Sequence, residues 1–229
     1  MRVAIHQPNY LPWMGYIEKI ANSDIFVFFD DVQYSNQGGH NRNLIKTTNG
    51  KLFLTVPVEQ HFGDKINEVR TKDELGWKTK HLNTITSYYK KAPYYHVVYP
   101  MMEELLGESY QNIAQMNEAI LVSWSRAFGF KTEFKRSSEL AIMGHRESKV
   151  IDICCLLGAD CYLSGHGARS YQVEEHFTKR GIQLQYQSYE TLVYPQLWGE
   201  FIPNLSALDY IMNCGFDSGP ILSKGAKLT

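Results

Sequence analysis

The sequence has few of the residues that build disulfide frameworks, metal clusters and membrane spans. Its 229 residues include only four cysteines, none in a C-x-x-C spacing and none with a histidine at zinc-finger distance: Cys154, Cys155, Cys161 and Cys214. Buried free thiols in a reducing compartment are therefore expected. No apolar stretch approaches the ~20 residues that a bilayer span requires, and Gln7 and Pro8 come too early for a signal-peptide core. We predict a cytoplasmic protein without membrane insertion.

An excess of charge of either sign is also absent. Lysine and arginine total 23 against 24 acidic residues, for a net charge of -1. Such a chain has no basic field to attract nucleic acid or an anionic membrane, so neither is an expected partner. Local groups must therefore hold any anionic substrate. Tyrosine, by contrast, is abundant at 15 residues, and its apolar ring with a polar tip suits sugar and nucleotide sites as well as ordinary cores.

Strand and helix patterns alternate at both ends of the chain. Arg2–Ile5 and Ile25–Phe29 are apolar runs typical of buried strands, and Gly15–Asn22 between them has helical spacing. A unit of this kind favours two parallel strands joined by a right-handed crossover. Further strands are predicted at 132–135, 161–163 and 182–186, and further helices at 149–157, 171–180 and 205–212.

The middle of the chain predicts a hairpin followed by helices. Asn49-Gly50 lies between two strand-like runs, 44–48 and 51–56, and is a strong signal for a two-residue turn. Helices are predicted at 77–91, 94–106 and 113–128. We therefore predict one α/β domain over 1–229, with an open, mainly parallel Rossmann-like sheet, a β-hairpin excursion, a helical insertion at about 76–130 and a loose tail at about 220–229.

The loop after the first strand concentrates hydrogen-bonding groups. His6 can act as a general acid or base or can donate to a phosphate, and Gln7, Asn9 and Tyr10 can orient a ligand. The alternative is that His6 only closes the loop by bonding a backbone carbonyl. Ligands of open parallel sheets bind beyond the carboxyl ends of the strands, which favours the functional interpretation.

Two aspartates follow the second strand. Asp30 and Asp31, with Gln33 and Tyr34 beside them, could hold a divalent cation or sugar hydroxyls, or one aspartate could cap a turn while the other faces water. Metal ligands and cofactors are otherwise not determined by the sequence, and neither is the oligomeric state. Asp30 and Asp31 join His6 as the candidate catalytic residues.

Two further segments supply candidate anion-binding groups. Arg42 and Asn43 follow a Gly38-Gly39 pair that suits a lid, and the guanidinium could clamp a phosphate or carboxylate. The second segment is a strand–helix turn whose small residues let a ligand approach the backbone. Its candidate binding residues are Ser164, Gly165, His166, Arg169 and Tyr171.

Several blocks in this order resemble the WbqC-like family of bacterial proteins. They include I-H-Q-P-N-Y-L-P-W-M-G-Y, D-I-F-V-F-F-D-D-V-Q-Y-S, N-R-N-L-I-K-T, Y-L-S-G-H-G-A-R-S-Y and L-S-A-L-D-Y-I-M-N-C-G. Members of that family occur with genes for surface polysaccharide, including the O-antigen of lipopolysaccharide. The resemblance therefore implies a role in making or decorating an activated sugar. His166 departs from the family pattern, in which a small residue or proline often follows Ser-Gly.

The sequence and the resemblance together favour a transferase acting on a nucleotide-activated or lipid-linked sugar. Transfer of an acyl or aminoacyl group suits a site with one base and no obvious nucleophile. The alternative is a non-catalytic nucleotide-sugar or glycan-binding module. A metal-dependent hydrolase or a nucleotidyltransferase-like enzyme ranks lower, because no metal-binding motif occurs and the H-x-G-H motif of nucleotidyltransferases is absent from Pro12–Tyr16.

Overall fold

The computed structural model describes residues 1–223 and 227–228 and has a mixed α/β architecture. Five parallel strands form the central sheet, in the order β9-β8-β1-β2-β7, and a short antiparallel strand β10 is added beside β9. The strands are β1 (Arg2–His6), β2 (Ile25–Phe28), β7 (Glu133–Arg136), β8 (Cys161–Ser164), β9 (Gln183–Ser188) and β10 (Lys227–Leu228). The predicted fold class is confirmed.

The predicted hairpin is also confirmed, as β3 (Arg42–Thr47) and β4 (Gly50–Thr55). Gly50 has a φ of 96°, the left-handed conformation that the turn requires. A second small ribbon, β5 (Val58–Glu59) with β6 (Arg70–Thr71), was not predicted because two residues carry no usable periodicity. The helices between the hairpin and β7 are α2 (Trp77–Tyr89), α3 (Tyr95–Gly107) and α4 (Ile113–Ala127).

The remaining helices are α1 (Met14–Ala21), α5 (Arg146–Leu156), α6 (Glu174–Thr178), α7 (Ala207–Cys214) and α8 (Gly219–Ser223). Helix α6 is shorter than the predicted 171–180, because Ser164 donates a hydrogen bond to Gln172 and fixes the preceding segment as a loop. Within the predicted tail, α8 is a short helix and β10 pairs with β9. Residues 224–226 and 229 of that predicted tail lie outside the described residues.

Hydrophobic cores cover both faces of the sheet. The core on one face contains residues of α1, α2, α3, α4 and α7. The core on the other face contains residues of α5 and α6. The cysteines are free; Cys154 and Cys161 are buried and Cys214 is partly buried. Cys155 is exposed, contrary to the prediction of buried thiols, because adjacent residues of a helix point in different directions.

The order of the strands determines where a ligand can bind. The chain adds β2 and then β7 on one side of β1, and later adds β8 and β9 on the other side. The connection from β1 leads to β2 on one side, and the connection from β8 leads to β9 on the other side. The loops that follow β1 and β8 therefore diverge. Such a switch point leaves a crevice at the carboxyl ends of the strands, where open α/β sheets bind their ligands.

Candidate functional site

A cleft of about 320 Å³ opens at this switch point. It lies beyond the carboxyl ends of β1, β8 and β9, and the first turns of α1 form one wall. The residues that line it are His6, Trp13, Gly15, Tyr16, Lys19, Gly165, His166, Gly167, Gln187, Ser188 and Tyr189. The first and third predicted clusters therefore meet in one cavity through His6, Gly165 and His166, although His6 and Gly165 are 159 residues apart in the chain.

His6 is the last residue of β1, and its imidazole keeps part of its surface in the cleft. Its Nδ1 lies 3.1 Å from the carbonyl oxygen of Gln7. Because a carbonyl can only accept, Nδ1 carries the proton in the neutral ring and Nε2 is left as an acceptor. Burial, followed by the positive charge of Lys19, lowers the pKa of His6 to about 3. His6 is therefore neutral at physiological pH.

Lys19 lies in the second turn of α1 and is only 3% exposed. Its side chain borders the cleft, with Nζ 3.1 Å from the position that a Cβ on Gly165 would occupy. Burial lowers the pKa of Lys19 to about 8. The absence of a side chain at Gly165 is thus what makes room for the lysine.

Two aromatic side chains stand at the mouth of the cleft. Trp13 precedes α1 and packs edge to face against Tyr189 after β9, with ring centroids 4.7 Å apart. The indole also lies over Gly15, where an added Cβ would come within 2.3 Å of the ring. Trp13 is 37% exposed, so an aromatic surface is available there for the face of a sugar or a nucleobase.

The polar loop after β1 is held rigidly by the rest of the protein. Its carbonyl groups accept hydrogen bonds from four separate places: from Tyr16 at Gln7, from Asn117 at Pro8, from Asn43 at Leu11 and from the Ala207 amide at Pro12. Leu11 has a φ of 42° despite its side chain, a conformation that costs free energy. The loop is therefore preorganised, and this accounts for its density of prolines and amides.

The predicted second cluster lies elsewhere, beyond β2. Asp30 is buried, and its carboxylate accepts hydrogen bonds from Asn67, from the Ser137 hydroxyl and from Ser138. Asp31 accepts from Ser137 and pairs with Lys149. Burial alone would raise the pKa of Asp31, but these partners hold it below its usual value. Both aspartates lie outside the cleft. They join the end of β2 to the segment that follows β7, and Asp31 also joins it to helix α5.

Other predicted residues of the first half of the chain support the fold near the site. Tyr10 is buried and its hydroxyl is 2.9 Å from Nδ1 of His81. Asn9 packs beside Gly39, and Asn43 donates to Leu11. Arg42 lies over the ring of Phe53, 5.1 Å from its centroid.

The remaining predicted residues do not line the cleft either. Gln33 is exposed, and the ring of Tyr34 lies against His40 with centroids 5.3 Å apart. In the turn after β8, Arg169 stacks over Tyr186 at 5.5 Å and Tyr171 is exposed. Gln7 takes part through its backbone carbonyl, which accepts from His6 and Tyr16.

Sequence reasoning missed Lys19, Trp13, Gln187 and Tyr189. Helical periodicity placed only the apolar residues of α1 inside, whereas the whole helix from Met14 to Ile20 is buried. Gln187 donates to the Gly15 carbonyl and to Glu18, which ties β9 to α1. One feature of the sequence could have indicated them. If the strand at 182–186 is placed parallel to and beside the strand at 161–163, its carboxyl end lies at the same edge of the sheet as His6.

Metal-binding clusters and membrane-spanning helices are both absent from the described residues. No group of three or more histidine, cysteine, aspartate or glutamate side chains is placed to hold a metal ion in the part of the chain that is described. Across 1–223 and 227–228, no helix has the length and apolar character needed to cross a bilayer. The cleft itself offers nitrogen donors and aromatic rings.

The fold and the cleft define a Rossmann-like α/β protein with a cavity at its switch point. The chain belongs to the WbqC-like protein family, whose sequence model matches residues 7–220. It is 32% identical over 221 residues to the uncharacterized protein Rv1507c of Mycobacterium tuberculosis, an alignment that covers 95% of each chain. No solved structure shows significant similarity to it.

Proposed function

We propose that this protein is a transferase that modifies a nucleotide-activated or lipid-linked sugar in the assembly of bacterial surface polysaccharide. The observation that carries this proposal is the cleft at the switch point, in which a neutral histidine, a buried lysine and an aromatic pair face one cavity. This combination suits an anionic sugar derivative: the rings accept a sugar or base face, the lysine attracts phosphate, and the histidine moves a proton.

His6 is the proposed general base. Its Nε2 takes the proton from an amino or hydroxyl group of the sugar as that group attacks the carbonyl of an acyl or aminoacyl thioester. The bond between the carbonyl carbon and the sulfur breaks, and the departing thiolate receives the proton from His6. Because Lys19 contributes to the low pKa of His6, an anion bound beside Lys19 raises that pKa and strengthens the base.

The test couples a ligand screen with a turnover assay. Thermal unfolding is measured with nucleoside diphosphate sugars, free nucleotides and acyl thioesters, because a ligand that binds only the native state raises the melting temperature. Product mass is then followed with amino sugars and thioester donors. We expect His6→Ala to lower turnover by 100-fold or more, on the order of a general-base contribution, while His96→Ala, at an exposed histidine of α3, keeps full activity. Unchanged turnover in His6→Ala overturns the assignment.

A non-catalytic nucleotide-sugar-binding module is the second candidate function. It is favoured by the position of Asp30 and Asp31, whose carboxylates bond to the protein outside the cleft and leave only the histidines His6 and His166 beside Lys19 and the aromatic pair among the described lining residues. The same screen separates the two functions. A nucleotide sugar that stabilises the protein but is recovered unchanged with every thioester donor supports the binding module.

A further inference from the structure

Lys19 differs from the other buried lysines of the described chain. Three lysines are less than a tenth exposed: Lys19, Lys46 and Lys149. Lys46 donates to the carbonyls of Gly199 and Glu200, and Lys149 pairs with Asp31. Within the described residues, Nζ of Lys19 has no hydrogen-bond or ion-pair partner. A buried ammonium without a partner costs several kcal/mol, which makes an unpaired one rare in structural positions.

The groups around Lys19 add no negative charge to the cleft. The titratable side chains that line it with Lys19 are His6 of β1, Tyr16 of α1, His166 of the turn after β8 and Tyr189 after β9. None of these is a carboxylate. Glu18, the neighbouring acid on α1, accepts from Gln187 of β9. The lining residues of the described cleft therefore include a positively charged lysine and the neutral His6, and no acid.

The start of α1 reinforces this charge. The helix begins at Met14, so its first turn and the positive end of its dipole lie at the same wall of the cleft. Gly165 leaves the space in front of Nζ that a side chain would occupy. An oxygen that enters the cleft can thus reach the ammonium from the open side.

We propose that Lys19 is the anion-binding residue of the cleft and that its ammonium binds a phosphate oxygen of the substrate's diphosphate. This inference rests on the proposed function for the identity of the phosphate donor. Arg42 and Arg169, the guanidinium candidates predicted from sequence, stack on Phe53 and Tyr186 instead. The phosphate of a nucleotide sugar and that of a lipid-linked sugar present the same chemistry, so the probes below distinguish them.

The test compares wild-type protein, Lys19→Met and Lys80→Met by calorimetric titration with inorganic pyrophosphate, UDP-N-acetylglucosamine and undecaprenyl diphosphate in detergent. Methionine keeps the unbranched side chain up to the ε position but has neither the terminal ammonium nor its charge, and Lys80 is an exposed lysine of α2. A charge-assisted hydrogen bond contributes about 1.5–3 kcal/mol. We therefore expect Lys19→Met to weaken binding of pyrophosphate about 10- to 100-fold, and Lys80→Met to leave it unchanged.

The outcomes separate this inference from the proposed function. Pyrophosphate binding that depends on Lys19 supports the anion site even if neither sugar-type probe binds more tightly, and that second result would count against the proposed function alone. Equal binding of every probe to wild-type protein and Lys19→Met overturns the anion site while leaving the function open. A melting temperature of Lys19→Met at or above that of wild type shows that the variant is folded and that lost binding is not lost structure.

Discussion

At the scale of single residues, the lysine in the cleft is predicted to reduce the stability of the protein. Burial lowers the pKa of Lys19 from 10.5 to about 8, so the native state disfavours the proton that the unfolded chain retains. Below pH 8 this difference costs about 3 kcal/mol. Lys19→Met should therefore raise the free energy of unfolding at pH 7 by up to about 3 kcal/mol, measured by urea denaturation.

The lowered pKa of Lys19 also determines how the stability of the protein depends on pH. Between about pH 8 and pH 10.5 the unfolded state binds more protons than the native state, so this contribution to wild-type stability increases with pH. The advantage of Lys19→Met should shrink across that interval. A variant that is less stable than wild type at pH 7 would mean that the ammonium has a structural partner.

A second residue-scale prediction concerns Gly15. An alanine there would place its Cβ within 2.3 Å of the Trp13 ring, so the indole must leave its place against Tyr189. We expect Gly15→Ala to weaken ligand binding about tenfold, in line with a contribution of 1–3 kcal/mol from stacking. Gly107→Ala is the matched control, because nothing lies within 4 Å of its added Cβ. Equal affinity of the two variants would remove Trp13 from the site.

At the scale of elements, the loop between β1 and α1 is predicted to depend on the hairpin. The Asn43 side chain donates to the Leu11 carbonyl and accepts from the Leu44 amide. Asn43→Asp keeps the shape and the acceptor for the Leu44 amide, but it replaces the donor to the strained Leu11 with a carboxylate oxygen that the Leu11 carbonyl repels. We expect a loss of about 1–3 kcal/mol in stability, with weaker ligand binding in the folded protein.

Hydrogen exchange checks this prediction and its control. In Asn43→Asp, faster exchange should be confined to residues 7–16 and the hairpin, while the amides of α3 remain protected. Asn36→Asp, in an exposed part of the loop before the hairpin, should leave exchange unchanged. Faster exchange throughout the sheet in Asn43→Asp would contradict a local role.

The elements themselves were largely predictable, because their signals are local. Asn49-Gly50 determines the hairpin, and the apolar runs ending at His6 and Phe28 determine the two central strands. The bounds of α6 were less predictable, because the residue at which this helix begins depends on a hydrogen bond between the side chains of Ser164 and Gln172. Short ribbons such as β5 with β6 depend on tertiary contacts.

At the scale of the whole molecule, three desolvated histidines, the buried His40 and His81 and the partly exposed His6, predict sensitivity to acid. Burial lowers the pKa of His6 to about 3 and those of His40 and His81 to about 4, against a usual 6.5. At these three sites the unfolded chain therefore binds more protons than the native state between about pH 6.5 and pH 4. Glu118 and Asp209, whose pKa values are raised by burial, offset part of this difference, so the three histidines together make stability fall as the pH falls. Urea midpoints at pH 7, 6, 5 and 4.5 should decrease steadily; a flat profile would contradict the burial of these rings.

The candidate site could be predicted only in part, because the order of the strands in the sheet is a property of the whole molecule. A sequence shows that His6 and Gly165 each follow a strand, but the strand order decides which loops meet. Because β8 lies beside β1, His6 and His166 share a cleft; because β2 and β7 lie on the other side, Asp30 bonds to Ser137 instead. Lys19 was hidden by its charge, which is typical of an exposed helix position.

The most direct test of ligand binding at the switch point is the fluorescence of Trp13. Of the four tryptophans, Trp77 and Trp124 are buried, Trp198 donates to the Tyr88 carbonyl and is not among the lining residues, and Trp13 lines the cleft. The nucleoside diphosphate sugar with the largest thermal shift is titrated into wild-type protein, Trp13→Phe and Lys19→Met. We predict a saturable change in emission that Trp13→Phe abolishes and that Lys19→Met shifts to at least tenfold higher ligand concentration. The same change in all three proteins, or no binding of any such sugar, would contradict it.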